Sequence, residues 1–568
     1  MPDTISLSSP LNLPCGQVIS NRIMKSALSE GLGTSGHGPD IRLERLYSRW
    51  ASGGYGLVVT GNVMVDREHL GEPGNVALEN DHDIGAFRRW AKTTQDGGVP
   101  CWMQLNHPGR QANPFATASR AVAPSAIGVG IPGVRAPRAL DDTEIWDIVE
   151  RFAVSAGLAE AAGFNGVQIH AAHGYLLSQF LSPISNHRDD RWGGSIEDRT
   201  RLLIEIIRRV GDAVSPGFAL GVKLNSADFQ HGGFSEDESR EVVAMLADER
   251  IDLIEISGGS YESPAMMGRP VVSARTRARE AYFLEYAETV RTVAGHVPLA
   301  VTGGFRTHAG MTEAIASGAC DIVGLGRPTA VSPTAGHTIL RDSSAALATT
   351  RRRLPVPRRV AGTSPIKALD GALDLQWHTD QLHRMGAGAE PDPLRPLWRT
   401  AITTVRRNGI DAFRTKRERI GSGADRKVLR KFRVERAVGR HIANPAVALL
   451  TRLGIRTSLA TELETTGRRS GQQRRVPVTA GFDATGAWII SQHGNRSGWA
   501  INIAADPVVR IRQGSQWRSG TAEFVPDDNV ADRARTFATN PVFAKLVAAS
   551  VRALQSDPIS VRISFTDR

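Results

Sequence analysis

The sequence predicts a (β/α)8 TIM barrel followed by a small, mostly antiparallel β-barrel. Three observations lead there. Short apolar runs alternate with helical patterns from the N-terminus to about residue 390. A strongly basic stretch then breaks the pattern. Beyond it, short strand-like runs are joined by tight-turn signals such as "DATG" and "QGSQ".

Eight runs supply the barrel strands: "NRIMKSA" from Asn21, "GLVVTGN" from Gly56, "CWMQLNH" from Cys101, "GVQIHAA" from Gly166, "LGVKLN" from Leu220, "DLIEIS" from Asp252, "PLAVTGG" from Pro298 and "DIVGLGR" from Asp321. Near-continuous apolar runs are what strands covered on both faces look like. The stretches between them are helical. Ile145, Ile148, Val149, Phe152 and Ala156 recur at helical spacing before an "AAGF" stop, and Ser195 with Asp198 opens another helix as a near capping box. A chain of 568 residues has room for such a barrel and more, and 41% hydrophobic residues suffice for large cores.

The basic stretch is residues 399–440. It holds 14 Lys/Arg and four acids, so it carries 14 − 4 = +10 of the chain's net +11. It reads as a solvated, arginine-rich connector. Weak contact with an anionic membrane surface is compatible with it, at roughly 1 kcal/mol per cation, and no specific nucleic-acid partner is expected. The tail runs are "TELETTG", "RRVPVTAGF", "AWIISQH", "VVRIRQG", "RSGTAEFV" and "ISVRISF", with a helical stretch from about Asp527 to Leu554 before the last. This divides the chain into 1–398, 399–440 and 441–568.

No run of 18 apolar residues suggests a transmembrane helix, and "MPDTISLSSP" has no secretory character. Cys15, Cys101 and Cys320 are the only cysteines and form no CxxC. The expectation is a cytoplasmic protein without disulfides, cysteine-ligated clusters or metal.

Barrel chemistry sits at the C-terminal strand ends. Strand one then ends toward Ser29, strand two at Asn62, and strand three at Gln104 and His107. His170, His173 and Tyr175 end strand four; Lys223 and Asn225 end strand five. Gly303-Gly304 and Gly326-Arg327 end strands seven and eight. Glycine-rich ends on the last two strands suggest a phosphate site built from backbone N–H groups.

The motifs "NRIMKSALS", "GLVVTGN", "QLNHPGR", "FNGVQIHAAHGYLLSQFLSPISNHRDDRWGGSIEDRTR" and "VGLGRP" carry a resemblance to the Old Yellow Enzyme family of FMN-dependent ene-reductases, over about residues 8–390. The resemblance implies that Ala27, Leu28 and Ser29 meet the isoalloxazine edge and that Gln104 binds the flavin pyrimidine. It implies that Asn62 and Lys223 complete the flavin site and that Gly303, Gly304, Gly326 and Arg327 hold the FMN phosphate. His170 and His173 would bind the substrate's carbonyl or nitro oxygen, and Tyr175 would donate a proton. The implied reaction is hydride transfer from flavin N5 to an activated alkene or a nitro compound, with NAD(P)H as a candidate reductant. Two donors aimed at the oxygen that gains charge stabilise it, and a phenol keeps its proton at neutral pH.

Two positions depart from the family pattern. Lys223 stands where arginine is usual near flavin N1/O2, which keeps a positive charge but loses the bidentate fork. Ser29 stands for threonine or cysteine and keeps one hydrogen bond to donate. Lysine is scarce, at eight against 61 arginines, yet Lys25 and Lys223 both fall in strands. A Schiff-base aldolase is therefore the rival enzyme class.

In the tail, "TTGRRSGQQRRVP" and "SGWAINIAADPVV" resemble the deazaflavin-dependent nitroreductase family of split β-barrels. The resemblance implies an 8-hydroxy-5-deazaflavin coenzyme at Arg469, Ser470, Arg474, Arg475, Pro477, Trp499 and Asn502. The competing expectation is a tail that only binds or tethers. The natural substrate, the preferred reductant and the oligomeric state are not legible at this level.

Overall fold

The computed structural model describes residues 5–113, 116–117, 119–129, 135–258, 283–348, 364–404, 461–468, 471–491, 498–525 and 559–566, with isolated positions between 528 and 537. The chain divides into two compact units, Met1–Lys416 and Arg417–Arg568. Of the basic connector only 399–404 is described, as the end of a helix, and nearly all of the expected Asp527–Leu554 helix lies outside the described residues.

The first unit is a closed parallel barrel. Its strands are β1 (Ile23–Lys25), β2 (Leu57–Met64), β3 (Cys101–Asn106), β4 (Gly166–Ala171), β5 (Ala219–Asn225), β6 (Leu253–Ser257), β7 (Leu299–Thr302) and β8 (Ile322–Leu325). They pair in the order β1-β8-β7-β6-β5-β4-β3-β2, and Met24 opposite Leu57 closes the ring. Every predicted strand is present.

Each strand alternates between two cores. Outward residues such as Val58, Met103, Ile169, Val222 and Ile254 pack under the surrounding helices. Inward residues Met24, Leu57, Val59, Trp102, Ala219, Leu253, Ala300 and Ile322 form a separate apolar layer inside the barrel. Leu13 and Ile19 join that layer from a hairpin in which Leu11 pairs with Ile19, so the hairpin plugs the N-terminal end. Trp102 fills this floor and donates Nε1–H to Gln17 at 2.9 Å. Its ring leaves no room on β5: a Cβ added at Gly221 would lie 2.8 Å from it.

The helices begin where the sequence signals them. Asp142–Ala161 opens with a capping box between Asp141 and Glu144, and Ser195 caps Ile196–Ala213 by accepting from the Asp198 N–H. After the last barrel strand, the helix Ser364–Gly386 sends side chains to the barrel mouth.

The second unit is a seven-stranded antiparallel sheet, a half-barrel consistent with a split barrel. Its strands are β9 (Thr461–Thr466), β10 (Gln473–Val478), β11 (Ala480–Phe482), β12 (Gly486–Ser491), β13 (Val508–Gln513), β14 (Gln516–Val525) and β15 (Ile559–Phe565), ordered β10-β9-β13-β14-β15-β12-β11. Leu463, Ile489, Ile511, Val561 and Ile563 form its core, with Ile503 from the helix Gly498–Ala505 packed on them.

Trp102 is the largest side chain in the inner floor, so Trp102→Ala should lower unfolding stability by about 3–5 kcal/mol. Ile41→Ser, on an exposed helix position, should stay within about 0.5 kcal/mol of wild type. Denaturant unfolding of both variants checks this.

Candidate active site

Above the apolar floor the inward residues turn polar. Ser26, Gln104, Gln168, Lys223, Glu255 and Thr302 are next along their strands, and His170, Asn225 and Ser257 follow at the mouth. A cleft of about 1350 Å³, part of it open solvent, lies over this layer. Ala27, Leu28, Ser29, Asn62, Gln104, His170, His173, Tyr175, Lys223, Gly303, Gly304, Gly326 and Arg327 all line it. The residues picked from strand ends therefore converge on one cavity, and His107 and Lys25 do not reach it.

The histidine pair is tightly placed. Both rings are buried, and the His170 ring stands edge-on to His173 at 5.1 Å and to Tyr175 at 4.9 Å. His170 Nδ1 accepts from the Ala172 N–H at 3.3 Å, which puts its proton on Nε2. Burial drives both imidazoles well below the ordinary histidine range, assisted for His170 by His173 and Lys223 and for His173 by Lys223. Both rings are neutral N–H donors at pH 7. His173 reaches its place through a left-handed backbone, φ 60°, held by its own N–H on Asn225 Oδ1 at 3.1 Å and its Nε2 against Ser257 Oγ at 2.9 Å. Asn62 Nδ2 lies 3.4 Å from the Tyr175 hydroxyl oxygen, while Asn62 Oδ1 is buried without a protein partner.

The glycine end of the cleft has a different character. Gly303 and Gly304 take φ of 127° and 101°, conformations that favour glycine and expose backbone to the cavity. Arg327 stands beside them and pairs with Asp374 of the Ser364–Gly386 helix at 3.2 Å. Arg306 also lines this end. Two guanidinium groups and bare backbone suit a phosphate, and the orphaned Asn62 oxygen suits a polar ring edge nearby. The residues present thus fit FMN.

Two expectations about individual contacts change. Ser29 donates its hydroxyl to Glu72, so its one proton is engaged within the cavity wall. Lys223 is not a lone cation, because its Nζ lies 2.8 Å from Glu255 Oε1. Gln168, Glu255, Ser257, Arg306 and the helix residues Leu375, His378, Thr379 and Leu382 were not picked from sequence. Ser257 ends β6 and the strand-end rule applies to it; the helix residues carry no such signal.

The loop after β1 is pinned from behind. Glu30 is buried and accepts hydrogen bonds from the Tyr47 hydroxyl and, at 2.9 Å, from the Gly61 N–H. A Cβ at Gly61 would lie 2.0 Å from the Glu30 carboxylate. Lys25 sits outside the barrel wall in the same cluster, donating to Val59 O at 2.9 Å, 3.9 Å from the Trp50 ring centre. Burial lowers Lys25 to about 8. The Schiff-base alternative fails on this placement, since Lys25 is walled off and Lys223 is ion-paired.

Among the described residues, Asp66, His69 and His107 bring metal-ligating atoms within 4.8 Å of one another. Their hydrogen bonds use those atoms otherwise. His69 Nδ1 bonds Asp66 at 2.6 Å, and His107 Nδ1 accepts from the Gly109 N–H at 3.1 Å, so His107 Nε2 holds a proton rather than a free lone pair. Arg151 lies 4.0 Å from the same carboxylate.

In the second unit the implied coenzyme residues do not share one surface. Arg469 and Ser470 lie outside the described residues. Thr465 pairs with Arg474 and Glu464 with Arg475, so Arg474 and Arg475 face opposite sides of the sheet. Asn502 joins the Arg474 side, donating to Thr465 Oγ1 at 3.2 Å and accepting from the Arg468 N–H at 3.4 Å. Arg475 and Pro477 share the other side, where Arg475 bonds Glu464 at 2.7 Å and lies 5.0 Å from the Trp517 ring centre. Trp499 is half-buried against the core.

Residues 6–342 match the NADH:flavin oxidoreductase / NADH oxidase family, and residues 425–564 match the F420(H2)-dependent quinone reductase family. The NADH-dependent flavin oxidoreductase iliE of Hypocrea jecorina is 39% identical over 60% of this chain and 91% of its own length. The NADH-dependent flavin oxidoreductase iccE of Talaromyces variabilis is 35% identical over 67% of this chain and 98% of its own. The solved structure of the old yellow enzyme homologue from Zymomonas mobilis superimposes with a TM-score of 0.51 at 25% identity, covering 61% of this chain and 95% of that one. The chain belongs to the NADH:flavin oxidoreductase / NADH oxidase family, as an FMN-dependent oxidoreductase of Old Yellow Enzyme type with a C-terminal domain of the F420(H2)-dependent quinone reductase type.

Proposed function

We propose that the barrel reduces activated C=C bonds or nitro groups. The observation that carries this is the convergence of two neutral histidines and a tyrosine on a cleft whose other end is glycine backbone and arginine. Bound FMN would supply hydride chemistry at N5. Gly303, Gly304, Gly326, Arg306 and Arg327 would hold its phosphate, and Gln104 and Asn62 would meet its ring edges. His170 and His173 present neutral N–H donors to the oxygen that gains negative charge, in a site that excludes water. Tyr175 holds a proton at its hydroxyl for the substrate carbon, with Asn62 fixing the oxygen. The relatives named NADH-dependent make NADH the first candidate for reducing the barrel.

The C-terminal match favours a second reading alongside this one. F420 is a deazaflavin, and a reduced deazaflavin can pass hydride to FMN. We propose that the C-terminal domain binds this coenzyme as a donor, and tethering raises its effective concentration to roughly millimolar.

Tyr175→Phe should bind FMN and be reduced normally, yet slow single-turnover reoxidation by an enone by about 10²- to 10⁴-fold. Nitro compounds, whose protons can come from solvent, should be less affected. Unchanged enone reoxidation would exclude Tyr175 as the proton donor.

Because both imidazoles are already neutral, enone affinity should stay flat between about pH 8 and pH 6. A fall centred on the ordinary histidine value near 6.5 would show instead that a ring takes up a proton. Replacing His170 and His173 together by alanine should abolish the charge-transfer band of a bound phenol on oxidised flavin.

In the intact chain, Arg469→Ala with Arg474→Ala should slow FMN reduction by reduced F420 and spare reduction by NADH. Arg475→Ala, on the opposite face, should have little effect on either. Stopped-flow rates decide this, and equal losses with both reductants would sink the donor role.

A further inference from the structure

A single hydrogen-bonded chain crosses the barrel between the apolar floor and the cleft. Lys223 on β5 meets Glu255 Oε1 on β6 at 2.8 Å. Glu255 Oε2 accepts from Gln168 Nε2 on β4 at 2.8 Å, and Gln168 Oε1 accepts from Gln104 Nε2 on β3 at 2.7 Å. All four side chains are buried, Glu255 completely. Lys223 and Gln104, the two ends, line the cleft, while Glu255 and Gln168 lie beneath it.

The order of this chain is forced by its one anion. A carboxylate can only accept, so Gln168 must turn its NH2 toward Glu255. Gln168 then offers its oxygen to Gln104, which must turn its NH2 away from the cleft. The Gln104 carbonyl oxygen is left facing the cavity, as an acceptor for a ring N–H. The same anion cancels the charge of Lys223 at short range, where a buried unit charge acts strongly.

We propose that Glu255 is a positioning residue for the flavin. It sets the direction of the Gln104 amide and holds the net charge beneath the pyrimidine edge at zero, where Lys223 alone would make it +1. This rests on FMN occupying the cleft as proposed above. The consequence is a flavin less inclined to carry negative charge at N1–O2 than an unpaired lysine would make it.

Sulfite is the probe, because it adds to oxidised flavin and leaves negative charge on that edge. The FMN-loaded full chain is titrated with sulfite and followed by bleaching of the visible flavin band. Glu255→Gln leaves Lys223 unpaired and should tighten sulfite binding about tenfold, and Lys223→Met leaves Glu255 unpaired and should weaken it about tenfold. The double variant restores zero charge and should return to within about threefold of wild type. The two-electron reduction potential should follow the same order. If the double variant stays as weak as Lys223→Met, Glu255 does not neutralise the lysine and the inference is overturned. That comparison stands even if Glu255→Gln alone fails to fold. An unchanged sulfite affinity in an FMN-loaded Glu255→Gln protein overturns it too. A wild-type chain that binds no FMN would instead remove the proposed function on which the inference rests.

Discussion

A closed parallel barrel places every second strand residue in a space that water does not fill, so each inward polar group must find its partner across the ring. The molecule meets this constraint in layers. Trp102 and its apolar neighbours close the bottom, and Gln17 of the plugging hairpin satisfies the indole N–H. One step higher, Gln104, Gln168, Glu255 and Lys223 satisfy one another on four adjacent strands. Only above them does the barrel open. The cleft therefore stands on a floor whose charge and hydrogen-bond direction are settled before any ligand arrives.

The mouth is built from groups that strain against ordinary geometry. His173 is held at φ 60° because Asn225 and Ser257, from the ends of two neighbouring strands, fix its backbone and its ring. The loop carrying Ala27, Leu28 and Ser29 is fixed by buried Glu30, which fits only because position 61 lacks a side chain. Both devices use cohesion behind the wall to place groups in front of it. They also remove charge from the substrate end, since burial keeps both histidines neutral. Cations collect at the other end as Arg306 and Arg327.

The barrel was legible because its strands are apolar runs of similar length and its site residues stand at strand ends. The strand-end rule alone brought His170, Tyr175, Gln104 and Lys223 to one cavity. Its failure is instructive at Gln168 and Glu255. Both sit mid-strand in runs that read as apolar, "GVQIHAA" and "DLIEIS". A polar residue there signals an inward position with a partner, but the partner lies on another strand and sequence spacing does not name it. For the same reason Lys223 read as a free cation, and Ser29 as a free donor. The helix Ser364–Gly386 reaches the cleft by tertiary packing alone, and nothing in "LQWHTDQL" marks that face.

The second unit shows the same period-two logic acting against a linear motif. "GRRSGQQRRVP" reads as one anion-binding stretch, yet most of its second half is a strand, and a strand sends neighbours to opposite faces. Arg475 goes to the side where Glu464, Arg510 and Trp517 already engage it, and Glu464 is held below the usual carboxylate range chiefly by Arg475. A guanidinium committed in this way has little left to offer a phosphate. Arg474 goes to the side where Asn502 ties the start of the hairpin to Thr465. An anion that uses this hairpin would therefore meet Arg474 and the backbone around Gly471, whose φ of 65° suits a tight turn. The two adjacent arginines, equivalent in the sequence, separate into one structural group and one available to a ligand.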